Sequence, residues 1–373
     1  MRVSWWRVAA AALLLAGAAS AADDLVYVGT YTGGASRGIY GYRFQTSNGK
    51  LKPLGLAAVA SNPSFLVAHP DGRFLYAVNE DATGMVSAFL IDPKSGKLAL
   101  VNQASSRGDG PCHLALDRSG RWLAVANYGS GSVAVLPLRK DGGLGEAAAF
   151  VQHSRSGPNA ERQKGPHAHC VLFSPDDRFL LAADLGADKI FVYRFDPESG
   201  ALAADDPPFA TVEAGAGVRH LAFHPNGRVL YAINELASTV TAFRYDPATG
   251  ALSEFQTAPT LPPAYTGAST AAEIAVNAAG TMVYGSNRGL DSMALLVIDP
   301  RKFTLSALEF TPLLGRTPRH FTLDPRGGYL LVANQGSNSI TTYTVHPRTG
   351  QLRPVGKAVT NIDKPTCVAF VPE

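Results

Sequence analysis

The phrase GVRHLAFHPNGRVLYAINEL, residues 217–236, recurs along the chain. PSFLVAHPDGRFLYAVNE, PCHLALDRSGRWLAVANY, HAHCVLFSPDDRFLLAADL, AAEIAVNAAGTMVYGSNR and PRHFTLDPRGGYLLVANQ bring the copies to six. An Asn or Asp near the end of each falls at Asn79, Asn127, Asp184, Asn234, Asn287 and Asn334, in steps of 48, 57, 50, 53 and 47 residues. A period of about 50 residues belongs to a repeat architecture, in which no unit buries its apolar face alone.

Within a copy, apolar residues alternate up to a turn such as HPDGR or HPNGR and then alternate again. That is a β-hairpin, with Pro, Asp or Asn and Gly supplying the turn geometry. A second strand pair follows, as in STVTAFRYDPATGALSEF, around turns of the type DPATG, DPKSG, DPESG and HPRTG. Four strands per repeat describe a propeller blade. PTCVAFVPE, at the end of the chain, matches the first strand of a blade. LVYVGTYT and GIYGYRFQTSNGKLKPL, near its start, match the other three. One blade shared by both chain ends removes the open sheet edges that a solenoid or separate sandwiches would leave. The expected fold is all-β: a single domain over residues 23–373, a seven-bladed β-propeller of four-stranded blades.

The 37 Gly and 25 Pro suit a chain of many tight turns. A net charge of +3 without a Lys/Arg block argues against nucleic acid or an acidic membrane as partner. MRVSWWR, an apolar VAAAALLLAGAA and a small-residue ASAAD read as a signal peptide over residues 1–22, cut after Ala21 or Ala22. A membrane anchor is the alternative, but the run falls short of the roughly 20 residues that span a bilayer. Without Arg2 and Arg7 the charge falls to +1. The three cysteines, Cys112, Cys170 and Cys367, are expected to be free and buried. The sequence carries no signal for oligomeric state.

Equivalent positions in a propeller form circles around its channel. The position of Arg219 in the first strand gives Ser64, Cys112, His169, Arg219, Ala272, Arg319 and Thr366. The position of Glu235 gives Tyr31, Glu80, Tyr128, Leu185, Glu235, Arg288 and Gln335. The two registers, 16 residues apart in each complete copy, are expected to face each other across the hairpin at one channel mouth. A neighbouring register adds His113, His220, Glu273 and His320. A concave site of arginines, carboxylates and histidines suits an anionic or polyhydroxylated ligand. The competing reading is that these charges merely pair and close the channel. Two long connections, VQHSRSGPNAERQKGPHAHC and TAPTLPPAYTGASTAAEI, are expected to wall the mouth with Arg162, Gln163 and Tyr265. No Walker loop or zinc-type Cys spacing occurs. His167 and His169 lack a clear third metal ligand, so neither metal nor cofactor is expected.

GPHAHCVLFSPDDRFLLAADL, GVRHLAFHPNGRVLYAINEL, AAEIAVNAAGTMVYGSNRG and TPRHFTLDPRGGYLLVANQ resemble the lactonase propellers. That family includes propeller-type 6-phosphogluconolactonases and 3-carboxymuconate lactonising enzymes, and the resemblance covers essentially the whole mature chain. It implies a catalytic set of His169, Arg219, Glu235 and Arg288, with Arg319, Arg162, Glu80, His113 and Tyr31 expected to contact a small sugar lactone. Either Glu235 or His169 would activate water, and the arginines would hold the carbonyl oxygen. Ala275 stands where the family pattern has a histidine, and NAAGTM replaces the usual Asp/Asn-Gly turn. Export points to an unphosphorylated substrate, glucono-1,5-lactone, in the periplasm. 6-Phosphogluconolactonase activity is the runner-up, and a non-catalytic binding propeller is the alternative of another class.

Overall fold

The computed structural model describes residues 23–360 and 362–372. The signal-peptide reading therefore lies outside the described residues. Seven antiparallel sheets of four strands each form a ring. Apart from one 3-10 turn at Gln335–Ser337, every regular element among the described residues is a strand.

Both chain ends meet in the first blade. There Pro365–Phe370 pairs with Asp24–Thr30, followed outward by Gly38–Gln45 and Lys50–Val59. Blades two to seven follow in chain order. The fifth, for example, comprises Val218–Phe223, Val229–Asn234, Thr239–Tyr245 and Leu252–Pro259. Each blade's first strand packs against the first strands of its neighbours, so the first strands wall the channel.

Burial follows from this stacking. The second strand lies between two neighbouring blades, and Val229–Asn234 is buried at every residue. Leu252–Pro259 forms the rim and is mostly exposed or half-buried. The core is accordingly seven wedges rather than one centre, each filled from two adjacent blades. In one wedge Tyr231, Ile233 and Val240 of the fifth blade meet Val283 and Leu296 of the sixth. Each such aliphatic side chain contributes roughly 1.5–3 kcal/mol on burial.

Tyrosines on second strands also latch blade to blade. The Tyr27 hydroxyl donates to the Gly96 carbonyl, Tyr76 to Gly142, Tyr231 to Phe303 and Tyr284 to Gly350, at 2.8–3.2 Å. Each acceptor belongs to the outer turn of the following blade, so the bond crosses the wedge. The departing NAAG turn of the sixth blade closes normally: Asn277 Oδ1 accepts the Thr281 and Met282 amides at 2.8 and 3.0 Å. Asp117 makes the same pair of contacts in the third blade.

Tyr231→Phe leaves the apolar packing in place but strips the Phe303 carbonyl of its partner, which is expected to cost about 1–3 kcal/mol. A urea unfolding curve should show a lower midpoint with an unchanged slope. An unchanged midpoint would remove the hydroxyl from the forces that hold adjacent blades together.

Candidate active site

The channel-facing strands do not pair regularly at the mouth. In the fifth blade Val218 pairs with Asn234 and His220 with Ile233, leaving Arg219 as an extra residue. Cys112, His169 and Arg319 are skipped in the same way in the third, fourth and seventh blades. Such a β-bulge breaks the strict alternation of side chains. Consecutive residues can then face one side, and Arg219 and His220 line the same void, as do Arg319 and His320. The sequence reading placed Arg219 near-opposite Glu235, whereas the Glu235 amide bonds the Gly217 carbonyl at 2.7 Å. Gly217 has φ +65°, and a Cβ there would strike the Leu236 side chain.

The second register is held from behind by the buried Asn/Asp that precedes it. Asn79 Nδ2 donates to the Ser61 carbonyl at 2.7 Å, and Asn287 Nδ2 to that of Thr260 at 2.7 Å. Glu80 and Arg288, the next residues, therefore project from a fixed backbone.

Together they enclose a cavity of about 180 Å³ lined by Glu80, Cys112, Tyr128, Arg162, His169, Glu235, Arg288 and Arg319. That is below the ~300–1,000 Å³ typical of drug-sized ligands. Beneath it a void of about 10 Å³ shares Cys112, His169 and Arg319 with the cup and is bordered also by His220, Glu273 and His320. A cleft of about 560 Å³ on the outside of the ring, between the second and third blades, is larger. It lacks the buried charges that would organise a reaction.

Glu235 is the centre of the cup. Its carboxylate lies 2.7 Å from Arg162 Nη2, 3.0 Å from Arg219 Nε and 2.9 Å from Arg288 Nη2. Burial would raise its pKa, but Arg288, Arg219 and Arg162 outweigh that and hold it at about 2. Arg219, 2% exposed, also donates to the Ala272 carbonyl at 2.7 Å, and Arg288 donates to that of Ala271 at 2.9 Å. Burial and the crowding of Arg219 and Arg319 bring Arg288 down to about 10, against the pull of Glu235. The opposite wall is a second cluster. Tyr31 donates to Glu80 at 2.8 Å, Arg319 Nη2 lies 2.8 Å from the Tyr31 hydroxyl, and Ser64 also bonds Glu80.

His169 differs from the charged residues around it: its Nδ1 is buried without a hydrogen-bond partner. Burial, reinforced by Arg219 and His220, pushes its pKa well below the ordinary imidazole value, so the ring is neutral. Tyr128 stands edge-on to it at 5.4 Å and stacks on His167 at 4.5 Å.

Arg162 reaches the cup from the long connection between the third and fourth blades, which is fastened along its length. His153 Nδ1 meets Asp184 at 2.6 Å, and the His167 amide donates to Asp184 at 2.8 Å. Gln163 bonds Asp188 and the Leu185 carbonyl, both at 2.8 Å. Gln163 is thus an anchor rather than a wall of the site. Tyr265 turns back onto the Ala268 carbonyl and does not line the cup.

The structure thus brings His169, Arg219, Glu235, Arg288, Arg319, Arg162 and Glu80 together. Tyr31 stands behind Glu80 and Arg319 without lining the cavity. His113 is a correction: its ring packs on Phe65 at 4.1 Å and its Nδ1 accepts the Val171 amide at 3.4 Å, below the cup. The bulge at Cys112 puts that thiol at the cup instead, and burial raises its pKa well above the ordinary value. All three cysteines are free and buried. Among the described residues no group of three or more His, Cys, Asp or Glu side chains is arranged to hold a metal ion. No helix among them is long and apolar enough to cross a membrane.

Known proteins share this construction. A family profile described as "Lactonase, 7-bladed beta-propeller" matches residues 25–370. The 6-phosphogluconolactonase of Bacillus subtilis is 35% identical over 347 residues, covering 92% of this chain and 97% of its own. That of Formosa agariphila is 31% identical over 336 residues, covering 88% and 94%. The solved periplasmic gluconolactonase of Pseudomonas aeruginosa has a TM-score of 0.86 and 37% identity, covering 93% of this chain and 99% of its own. The chain therefore belongs to the seven-bladed β-propeller family of lactonases.

Proposed function

We propose that this lactonase hydrolyses a sugar δ-lactone outside the cytoplasm, glucono-1,5-lactone to gluconate, with His169 as the base. The observation that carries the mechanism is the pairing of a neutral, unpartnered imidazole with guanidinium groups held ready by Glu235. Water attacks the lactone carbonyl while His169 takes its proton. Arg219 and Arg288 hold the oxyanion, an effect worth about 10²–10³ in kcat for one well-placed donor. Collapse breaks the bond from the carbonyl carbon to the ring oxygen, which receives the proton from His169. The product carboxylic acid then ionises and releases a proton to solvent.

Glu235 suits the base poorly, because three guanidinium groups already occupy it and hold its pKa at about 2. It is the counter-ion that keeps the arginines aimed. Glu80 and Arg319, braced by Tyr31, offer an acceptor and donors for sugar hydroxyls.

The signal-like segment over residues 1–22 and the likeness to a periplasmic gluconolactonase support the unphosphorylated substrate and the periplasm. 6-Phosphogluconolactone is the second reading. It is favoured by four guanidinium groups against three carboxylates in and directly beneath the cup, and by the activity named for the Bacillus relative.

Proton release in EDTA, with spontaneous hydrolysis subtracted, is expected to show higher kcat/KM for glucono-1,5-lactone than for its 6-phosphate. The reverse order would establish the second reading. His169→Gln should lower kcat by about 10²–10⁴-fold with the fold intact, the usual weight of a general base. Undiminished turnover would take His169 out of the chemistry.

Glu235 also makes a prediction for stability. Its folded pKa of about 2 lies below the ordinary 4.5, so its contribution is complete above pH 4.5 and is lost as pH falls through 2. Glu235→Gln leaves buried guanidinium charge uncompensated and should cost about 3–5 kcal/mol at neutral pH. The difference in stability between wild type and variant should shrink on acidification through that window. A gap that stays constant down to pH 2 would show that Glu235 does not act as the ionised partner of the arginines.

A further inference from the structure

Below the cup, three histidines share one register, and one of them is wired differently. His113 Nδ1 accepts the amide of Val171 in the next blade at 3.4 Å, and His320 Nδ1 accepts that of Val368 at 3.3 Å. An acceptor nitrogen is bare, so both rings carry their proton on Nε2. At the third position the expected donor is withdrawn. The Ile274 amide bonds Glu273 Oε1 at 3.0 Å, and the Glu273 carboxylate faces His220 Nδ1, 3.0 Å from each oxygen. A carboxylate accepts only, so His220 carries its proton on Nδ1 and presents a bare Nε2.

That Nε2 is buried without a partner, and so is Nδ1 of His169. The two rings are 5.1 Å apart between centroids, and both border the void of about 10 Å³. Such a void holds about one water. The nitrogens do not bond each other directly, but one water in that void would bridge them, with an Nδ1 proton on His169 as the hydrogen that completes the link.

We propose that Glu273 and His220 are positioning residues that fix the tautomer of His169, keeping its proton on Nδ1 and leaving Nε2 bare for catalysis. The inference rests on the reading of His169 as the base. When Nε2 takes the proton from water, Nδ1–H points along the chain toward His220 and Glu273, which stabilises the imidazolium without moving a second proton. This offsets the burial and the field of Arg219 and Arg319, which oppose positive charge on His169. His113 and Phe65 close the other sides of His220 at 4.9 and 6.2 Å, and His320 Nε2 approaches Glu273 at 3.5 Å. Outer partners of this kind orient a histidine in metal sites as well, where their loss typically costs 10–100-fold.

The test is a two-bond ¹H–¹⁵N spectrum of the labelled protein, with kinetics on variants. In wild type, Nδ1 of both His169 and His220 should be of the protonated type and Nε2 of the bare type. Glu273→Gln should lower kcat by about 10–100-fold with KM little changed, and His169 should then average between tautomers. A wild-type His169 protonated on Nε2, or full kcat in Glu273→Gln, overturns the proposal. If that variant does not fold, the wild-type spectrum decides by itself. An inactive His169→Gln beside a fully active Glu273→Gln would sink only this inference. A fully active His169→Gln would sink the reading beneath it.

Discussion

One extra residue at the start of a channel-facing strand is the constraint on which the site depends. With regular pairing, alternate side chains would turn away from the axis, and each blade would offer the channel a single layer. Skipping Arg219, His169 and Arg319 turns two successive residues inward. The upper layer supplies the guanidinium groups and His169, and the lower one supplies His220, Glu273 and His320. Chemistry and its support therefore come from two stacked layers of the same ring of first strands.

Charge buried in the cup carries a desolvation cost, which burial alone would relieve by neutralising Glu235. Three guanidinium groups reverse that outcome, and their own spacing is held by the same carboxylate. The arrangement is a fixed set of donors whose orientation was settled during folding, so little reorganisation remains when an oxyanion forms. Arg162 joins it from a connection tied down at His153, Gln163 and His167, which makes that connection a strap rather than a moving lid.

Much of this was legible in the residues. Turn chemistry and period-two alternation gave the blades, and PTCVAFVPE with LVYVGTYT gave the shared one, because both depend on local pattern. Arg219 and Glu235 were recognisable as a bracket around an otherwise apolar hairpin. The bulge was not readable, since an inserted residue leaves no mark in alternation until its partner strand is known. That is why His113 appeared to belong to the cup. Gln163 and Tyr265 misled for a related reason: a loop's length shows that it can reach a site, but which side chains it uses to anchor itself depends on Asp188 and the Ala268 carbonyl.

The shared blade has a consequence in time. A chain emerges from its amino end, and Asp24–Thr30 is among the first described segments to appear. Its inner neighbour, Pro365–Phe370, is the last strand among the described residues, and Val26 pairs with Phe370. Until that strand arrives the first blade lacks its channel-facing member, and the ring has two unjoined flanks. Intermediate blades can form as neighbouring pairs appear, but closure waits for the final residues. A chain stopped short of Pro365 carries every residue of the proposed catalytic set and still lacks the means to complete the circle that aims them.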